Sequence, residues 1–160
     1  MNLKRFATFL IVILLLALSL MPISATPSDD VTSEIIYLEN GDYIEISPIR
    51  ITENKTRSTT ALTASGERDV TYYDSNDEIE WQYVLTATFT YEPGVSATCT
   101  RATYSNTIND NNWTFSNGAA TKSGNMAYGV GTYVKKILFI TVETYDINID
   151  IMCDTYGNLS

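Results

Sequence analysis

The C-terminal three-fifths of the chain alternates between apolar and polar positions. From Ile79 to Tyr91, residues Trp81, Tyr83, Leu85, Ala87, Phe89 and Tyr91 fall on one face, and Gln82, Thr86, Thr88 and Thr90 on the other. A period of two with threonines outward predicts a half-buried antiparallel strand. Shorter stretches of the same kind cover Asp69–Tyr73, Val95–Tyr104 (Val95, Ala97 and Cys99 sharing a face), Trp113–Phe115 and Met126–Val134, the last loosened by Gly129 and Gly131. A final long element, Lys136–Asp154, sets Ile147, Ile149, Ile151 and Cys153 against Asp146, Asn148 and Asp150. Turn chemistry separates these runs at Asp74-Ser75-Asn76-Asp77, Pro93-Gly94, Asn106–Asn112, Asn117-Gly118 and Ser123-Gly124-Asn125. Short strands between turns, with no helical period, predict an all-β fold, an antiparallel β-sandwich. An immunoglobulin-like topology is the alternative: Trp113 and Cys153 follow Cys99 in the right order, but Ile151 stands where the corner tyrosine is expected.

Upstream, Glu34–Leu38 and Tyr43–Ile46 flank Asn40-Gly41 and predict a hairpin over residues 33–47. Thr52–Gly66 is rich in Thr and Ser without periodicity and reads as a linker. The expected organisation is therefore a polar N-terminal segment at 26–66, holding the hairpin and the linker, and a β-sandwich domain at 67–160.

The first residues change the picture of where this domain works. Lys4 and Arg5 precede an apolar run from Phe6 to Leu20, which Pro22 ends and Ile23-Ser24-Ala25 follows. That order is a secretory signal peptide, a leader helix at 1–25 with cleavage expected after Ala25. The run is shorter than the roughly 20 apolar residues that cross a bilayer. The expected location is thus secreted and extracellular. Loss of the leader removes two of the 10 basic residues and none of the 19 acidic ones, leaving a net charge of −11. Nucleic-acid binding requires a basic face, so it is excluded. An anionic membrane repels such a chain as well, and no membrane partner is expected after cleavage.

Cys99 and Cys153 are the two cysteines. In an oxidising compartment a pair like this forms a disulfide, which stabilises by about 4 kcal/mol for a loop of this size. The chain contains no histidine, which removes Ser–His–Asp triads, Cys–His dyads and histidine-ligated zinc. No glycine-rich loop opens a helix, so phosphate-cradling motifs are missing. Glu78 and Glu80 share a strand parity that places them about 7 Å apart, a spacing compatible with glycoside hydrolysis, but any strand with acids at i and i+2 gives it and a solvated edge is far more common. Asp74–Glu78 begins like a calcium loop but has Ile79 and Leu85 where glycine and the closing glutamate belong. Asp146 and Asp150 are about 13 Å apart along a strand, too far for one ion. Asn109–Asn112 is a loop open to a cation. No catalytic residue, metal site or cofactor is assigned. Of the aromatic residues, Trp81, Tyr83 and Phe89 read as core; Tyr72 or Tyr73, Tyr104, Tyr128 and Tyr133 stay open as ligand-stacking candidates.

Trp81, Phe89-Thr90-Tyr91, Cys99-Thr100, Asn112-Trp113, Ser123-Gly124-Asn125-Met126-Ala127 and the ending Cys153-Asp154-Thr155-Tyr156-Gly157-Asn158-Leu159-Ser160 together resemble small secreted proteins of Gram-positive, Clostridia-like bacteria that have no assigned function. The resemblance covers about three-fifths of the chain. It implies export and a disulfide-linked β domain, and it carries no ligand or activity. The functional expectation is a non-enzymatic extracellular module for an unknown glycan, cell-wall or protein ligand. A small carboxylate-dependent hydrolase working through Glu78 and Glu80, or a secreted antagonistic peptide or toxin, is the alternative.

Overall fold

The computed structural model describes residues 32–55 and 61–160; the leader expected at 1–25 lies outside them. Within this range the chain is all-β. Nine strands follow one another: β1 Glu34–Tyr37, β2 Tyr43–Ile46, β3 Arg50–Lys55, β4 Leu62–Tyr73, β5 Ile79–Glu92, β6 Ser96–Ile108, β7 Trp113–Ser123, β8 Met126–Ile137 and β9 Ile140–Met152. They form two antiparallel sheets. One has the order β1-β2-β4-β5-β6, with β3 also paired to β4; the other has β7-β8-β9. The chain passes between the sheets once, from β6 to β7. That order lends no support to the immunoglobulin-like alternative, whose Greek-key connections send strands repeatedly from sheet to sheet.

The expected boundary at Glu67 falls inside β4. β2 pairs with Val70–Tyr73 and β3 with Thr63–Glu67, so the two run end to end along one edge of β4. Most of the stretch read as a linker is therefore strand, apart from residues 56–60, which lie outside the described range. Its serines and threonines obscured the pattern. Ala64 is fully buried, and Gly66 lies where a Cβ would collide with Leu159, so two small residues supply the inward face. Residues Val31–Ser160 form one compact unit. The hairpin at 33–47 is present, but its loop has three residues, Glu39–Gly41, closed by Leu38 and Asp42. Gly41 takes the positive φ, 89°, that this loop form needs.

The alternation from Trp81 to Phe89 holds: Trp81, Tyr83, Leu85, Ala87 and Phe89 are buried, as are Ile147, Ile149, Ile151 and Cys153. Side chains from both sheets meet in one core. Trp81 of β5 stacks on Tyr133 of β8 with centroids 3.9 Å apart. Tyr83 and Phe115 lean over β8 so closely that a Cβ on Gly129 or Gly131 would sit 2.8 Å from Tyr83 or 2.5 Å from Phe115. The two glycines that weakened the β8 pattern are the seats of these rings.

Two elements differ from the sequence reading. Asn117-Gly118 is a bulge inside β7, where the register shifts between Ser116 and Ala119, and the strand continues to Ser123. The last apolar run splits into the end of β8 and the start of β9, with Leu138-Phe139 as its turn. Neither is a turn-forming residue, so nothing in the sequence marked the reversal.

Glu80 ties one end of the molecule together. It is skipped in the β4–β5 register, where Tyr72 faces Trp81 and Tyr73 faces Ile79. A bulge of this kind re-aims a side chain. The Glu80 carboxylate accepts hydrogen bonds from Trp113 Nε1 at 2.6 Å and Lys135 Nζ at 2.9 and 3.1 Å. Its carbonyl accepts from the Asn109 and Asp110 amides. Burial alone would lower the Lys135 pKa; the hydrogen bond and charge of Glu80 outweigh it and hold that pKa above the usual lysine value. Both side chains are mostly buried, so removing one charge strands the other. Glu80→Gln should cost about 2–4 kcal/mol in urea unfolding, and a loss under about 0.5 kcal/mol would show that this ion pair holds nothing.

Candidate functional site

Hairpin geometry and strand alternation build an aromatic ladder. Ile44 and Tyr72 are buried, so their neighbours Tyr43 and Tyr73 point to the opposite face of the sheet. Pairing places Tyr37 opposite Tyr43, and Tyr43 opposite Tyr73. The Tyr43 and Tyr73 rings stack at 4.7 Å with planes 11° apart. Tyr37 lies 5.8 Å beyond Tyr43, tilted by 46°, and is 75% exposed. Two carboxylates edge the ladder: the Tyr43 hydroxyl donates to Asp77 Oδ1 at 3.1 Å and the Tyr73 hydroxyl to Glu45 Oε2 at 3.2 Å. Desolvation, then the hydrogen bond and charge of Asp77, push the Tyr43 phenol up to about 12. Desolvation and Glu45 raise that of Tyr73. Both phenols are neutral near pH 7. Chemically the surface offers ring faces and edges beside carboxylate acceptors, which suits a ligand with apolar faces and hydroxyl edges.

Of the aromatic residues left open by the sequence, only Tyr73 joins this ladder. Tyr72 is buried, its hydroxyl oxygen 2.7 Å from Asp42 Oδ2 and 3.0 Å from Glu143 Oε1; its one proton serves one carboxylate at a time. Burial is the first cause of its raised pKa. Tyr133 is core, donating to the Gln82 carbonyl. Tyr104 stacks on Tyr83 at 5.5 Å, and Tyr128 lies against Met126. Tyr37 and Tyr43 were missed, although a signal existed: they stand equidistant from Asn40, which sets them opposite each other once the hairpin closes.

The two candidate carboxylates have different settings. Glu78 sits in the turn before β5, and Glu80 is held by Trp113 and Lys135. The loops considered for calcium are closed by their own aspartates. Asp74 accepts from the Asn76 and Glu78 amides, and Asp110 from the Asn112 amide and side chain. Backbone and Asn76 hydrogen bonds lower the Asp74 pKa. Asp146 accepts from Thr132 on the outer face of β8–β9. Among the described residues no group of three or more acidic or cysteine side chains could hold a metal ion.

The expected Cys99–Cys153 bridge is not formed in this structure; both are buried free thiols. The Ser123–Met126 reversal nevertheless brings them together, because the Cys99 amide donates to the Gly124 carbonyl and the Cys153 amide to that of Asn125. Each sulfur instead lies near a backbone carbonyl, Arg101 for Cys99 and Asp154 for Cys153. Burial first, then the charges of Asp154 and Cys99, push the Cys153 thiol up to about 11, and burial raises that of Cys99. Thiolate is the attacking form, so oxidation should be slow near neutrality and accelerate as pH rises from 9 towards 11. Peptide mapping after oxidative refolding should find Cys99 linked to Cys153; full labelling of both thiols in the denatured oxidised sample would refute the pairing. No family model matches the chain, and no curated protein or solved structure matches it, so the reading of this site rests on its geometry.

Proposed function

We propose that this protein is a secreted, non-enzymatic extracellular module that binds a cell-surface or cell-wall glycan through Tyr37, Tyr43 and Tyr73. The observation that carries the reading is the ladder itself, three tyrosines in cross-strand register with Asp77 and Glu45 at the hydroxyls of Tyr43 and Tyr73. A pyranose has an apolar face that packs on an aromatic ring and hydroxyls that carboxylates accept. Cross-strand aromatic pairs also stabilise a sheet, but that role does not call for Tyr37 to leave most of its ring in solvent. The chain's lack of histidine and the engagement of the Glu80 carboxylate by Trp113 and Lys135 favour binding over hydrolysis. We read the two sheets as layers of a β-sandwich, β4 over β9, β5 over β8 and β6 over β7. Its support is the Tyr72–Glu143, Trp81–Tyr133 and Lys122–Thr100 contacts. An edge hairpin carried on such layers presents the ladder outward.

The test is a pull-down of the purified protein on cell-wall polysaccharides and peptidoglycan. Tyr37→Ala leaves the core untouched and should weaken retention at least tenfold with little change in thermal midpoint; unchanged retention would move the site elsewhere. Sugar release that disappears in Glu78→Gln/Glu80→Gln would establish the hydrolase instead. Export has its own check: intact mass of protein from the culture medium should place the N-terminus at Thr26, and recovery only from membranes with residue 1 retained would overturn it.

A further inference from the structure

The β8–β9 turn is made of residues that do not favour turns. Leu138 and Phe139 adopt φ of 50° and 69°, and Ile137 pairs with Ile140 across them. This is a two-residue loop with both central residues left-handed, a conformation that Asn-Gly adopts at little cost and bulky side chains resist. Elsewhere among the described residues positive φ falls on Gly, Asn or Asp, as at Gly41, Gly124, Asn117 and Asp77. Here strain is accepted, and the result is an apolar point. Phe139 is 98% exposed and Leu138 85%, flanked by Ile137 at 50%, Ile140 at 67% and Val142 at 52%.

We infer that this tip inserts into the interface of a zwitterionic lipid bilayer. Its shape selects that partner. Ile137, Leu138, Phe139, Ile140 and Val142 project from a two-residue turn as a convex point, so they offer a protein partner no concave surface to enclose. A second copy of the chain is poorly served for the same reason. A bilayer needs no complementary groove and accepts apolar side chains from a convex point, as it does from interfacial helices. Charge agrees. Lys136 is exposed one residue behind the tip, and its cross-strand partner is the neutral Thr141, so its ammonium is placed to reach lipid phosphates while its stem packs on the apolar residues. The acidic remainder of the chain opposes anionic lipids, which leaves neutral headgroups. This surface is distinct from the tyrosine ladder, does not depend on the glycan reading, and departs from the expectation, drawn from charge alone, that the exported chain has no membrane partner.

The experiment uses the chain from Thr26 to Ser160, which retains the whole compact unit and omits the leader's own apolar run. Flotation with phosphatidylcholine vesicles should recover the protein in the lipid fraction, less so when phosphatidylglycerol is added at low salt. Phe139→Trp should show a blue-shifted emission on vesicle addition, quenched by brominated acyl chains. The double change Leu138→Asn/Phe139→Gly installs a favourable turn, so its thermal midpoint should hold or rise while flotation falls at least tenfold. Flotation that survives in that variant would overturn the proposal. So would the absence of flotation in the unmodified protein, or a concentration-dependent dimer in sedimentation that the double change abolishes.

Discussion

The contact on which the structure depends is the stack of Trp81 on Tyr133. It joins the two sheets through β5 and β8, and the other aromatic residues are arranged around it. Trp113 meets Trp81 edge-on at 5.8 Å, and Tyr72 meets Trp113 at 5.1 Å. Large rings bury much area at little entropic cost and add specific geometry to the hydrophobic gain. They also need room, which Gly129 and Gly131 supply by carrying no Cβ under Tyr83 and Phe115. An alanine at either place would meet a ring too closely, so the spacing of the sheets and the composition of β8 are one constraint.

Polar groups around this core are mostly kept in partnership. Tyr83 and Tyr133 send their hydroxyls to the Ala119 and Gln82 carbonyls, and Trp113 sends its indole N–H to Glu80. Trp81 Nε1 is buried with no hydrogen-bonding partner; its ring instead makes close aromatic contacts on several sides. A buried donor left without an acceptor costs free energy, so tight packing of the indole is favoured over ideal hydrogen bonding there; Arg68 Nε is also buried without a partner. The Glu80–Lys135 pair closes the same end of the molecule, and the nearby turns are satisfied by their own aspartates. The outer tyrosines and the Leu138-Phe139 point are two exposed surfaces whose composition the fold does not explain.

The two surfaces arise from opposite uses of a hairpin. In the β1–β2 hairpin the loop has suitable chemistry and the strands carry the interesting residues. In the β8–β9 hairpin the strands are ordinary and the loop carries them. One surface has aromatic faces bordered by acids, and the other has bare aliphatic and aromatic side chains bordered by a lysine. Different chemistry at the two places points to different partners.

The sequence by itself determined the all-β class, the inward faces of β5 and β9, and the hairpin around Asn40. Each follows from local rules: alternation of period two, and glycine's tolerance of positive φ. It also placed Cys99 and Cys153 on apolar faces. Other features depended on which strands became neighbours. β3 and the start of β4 were hidden because small residues, Ala64 and Gly66, do the burying there while serines and threonines surround them. The turn at Leu138-Phe139 was invisible because tertiary pairing imposes it on residues with no turn propensity. Glu80 looked like a solvated partner of Glu78 until a bulge turned it towards Lys135. Tyr37, Tyr43 and Tyr73 are far apart in the chain, and only cross-strand register stacks them. Local alternation says which way a side chain points, whereas register and bulges decide what it meets, and those are properties of the assembled sheets.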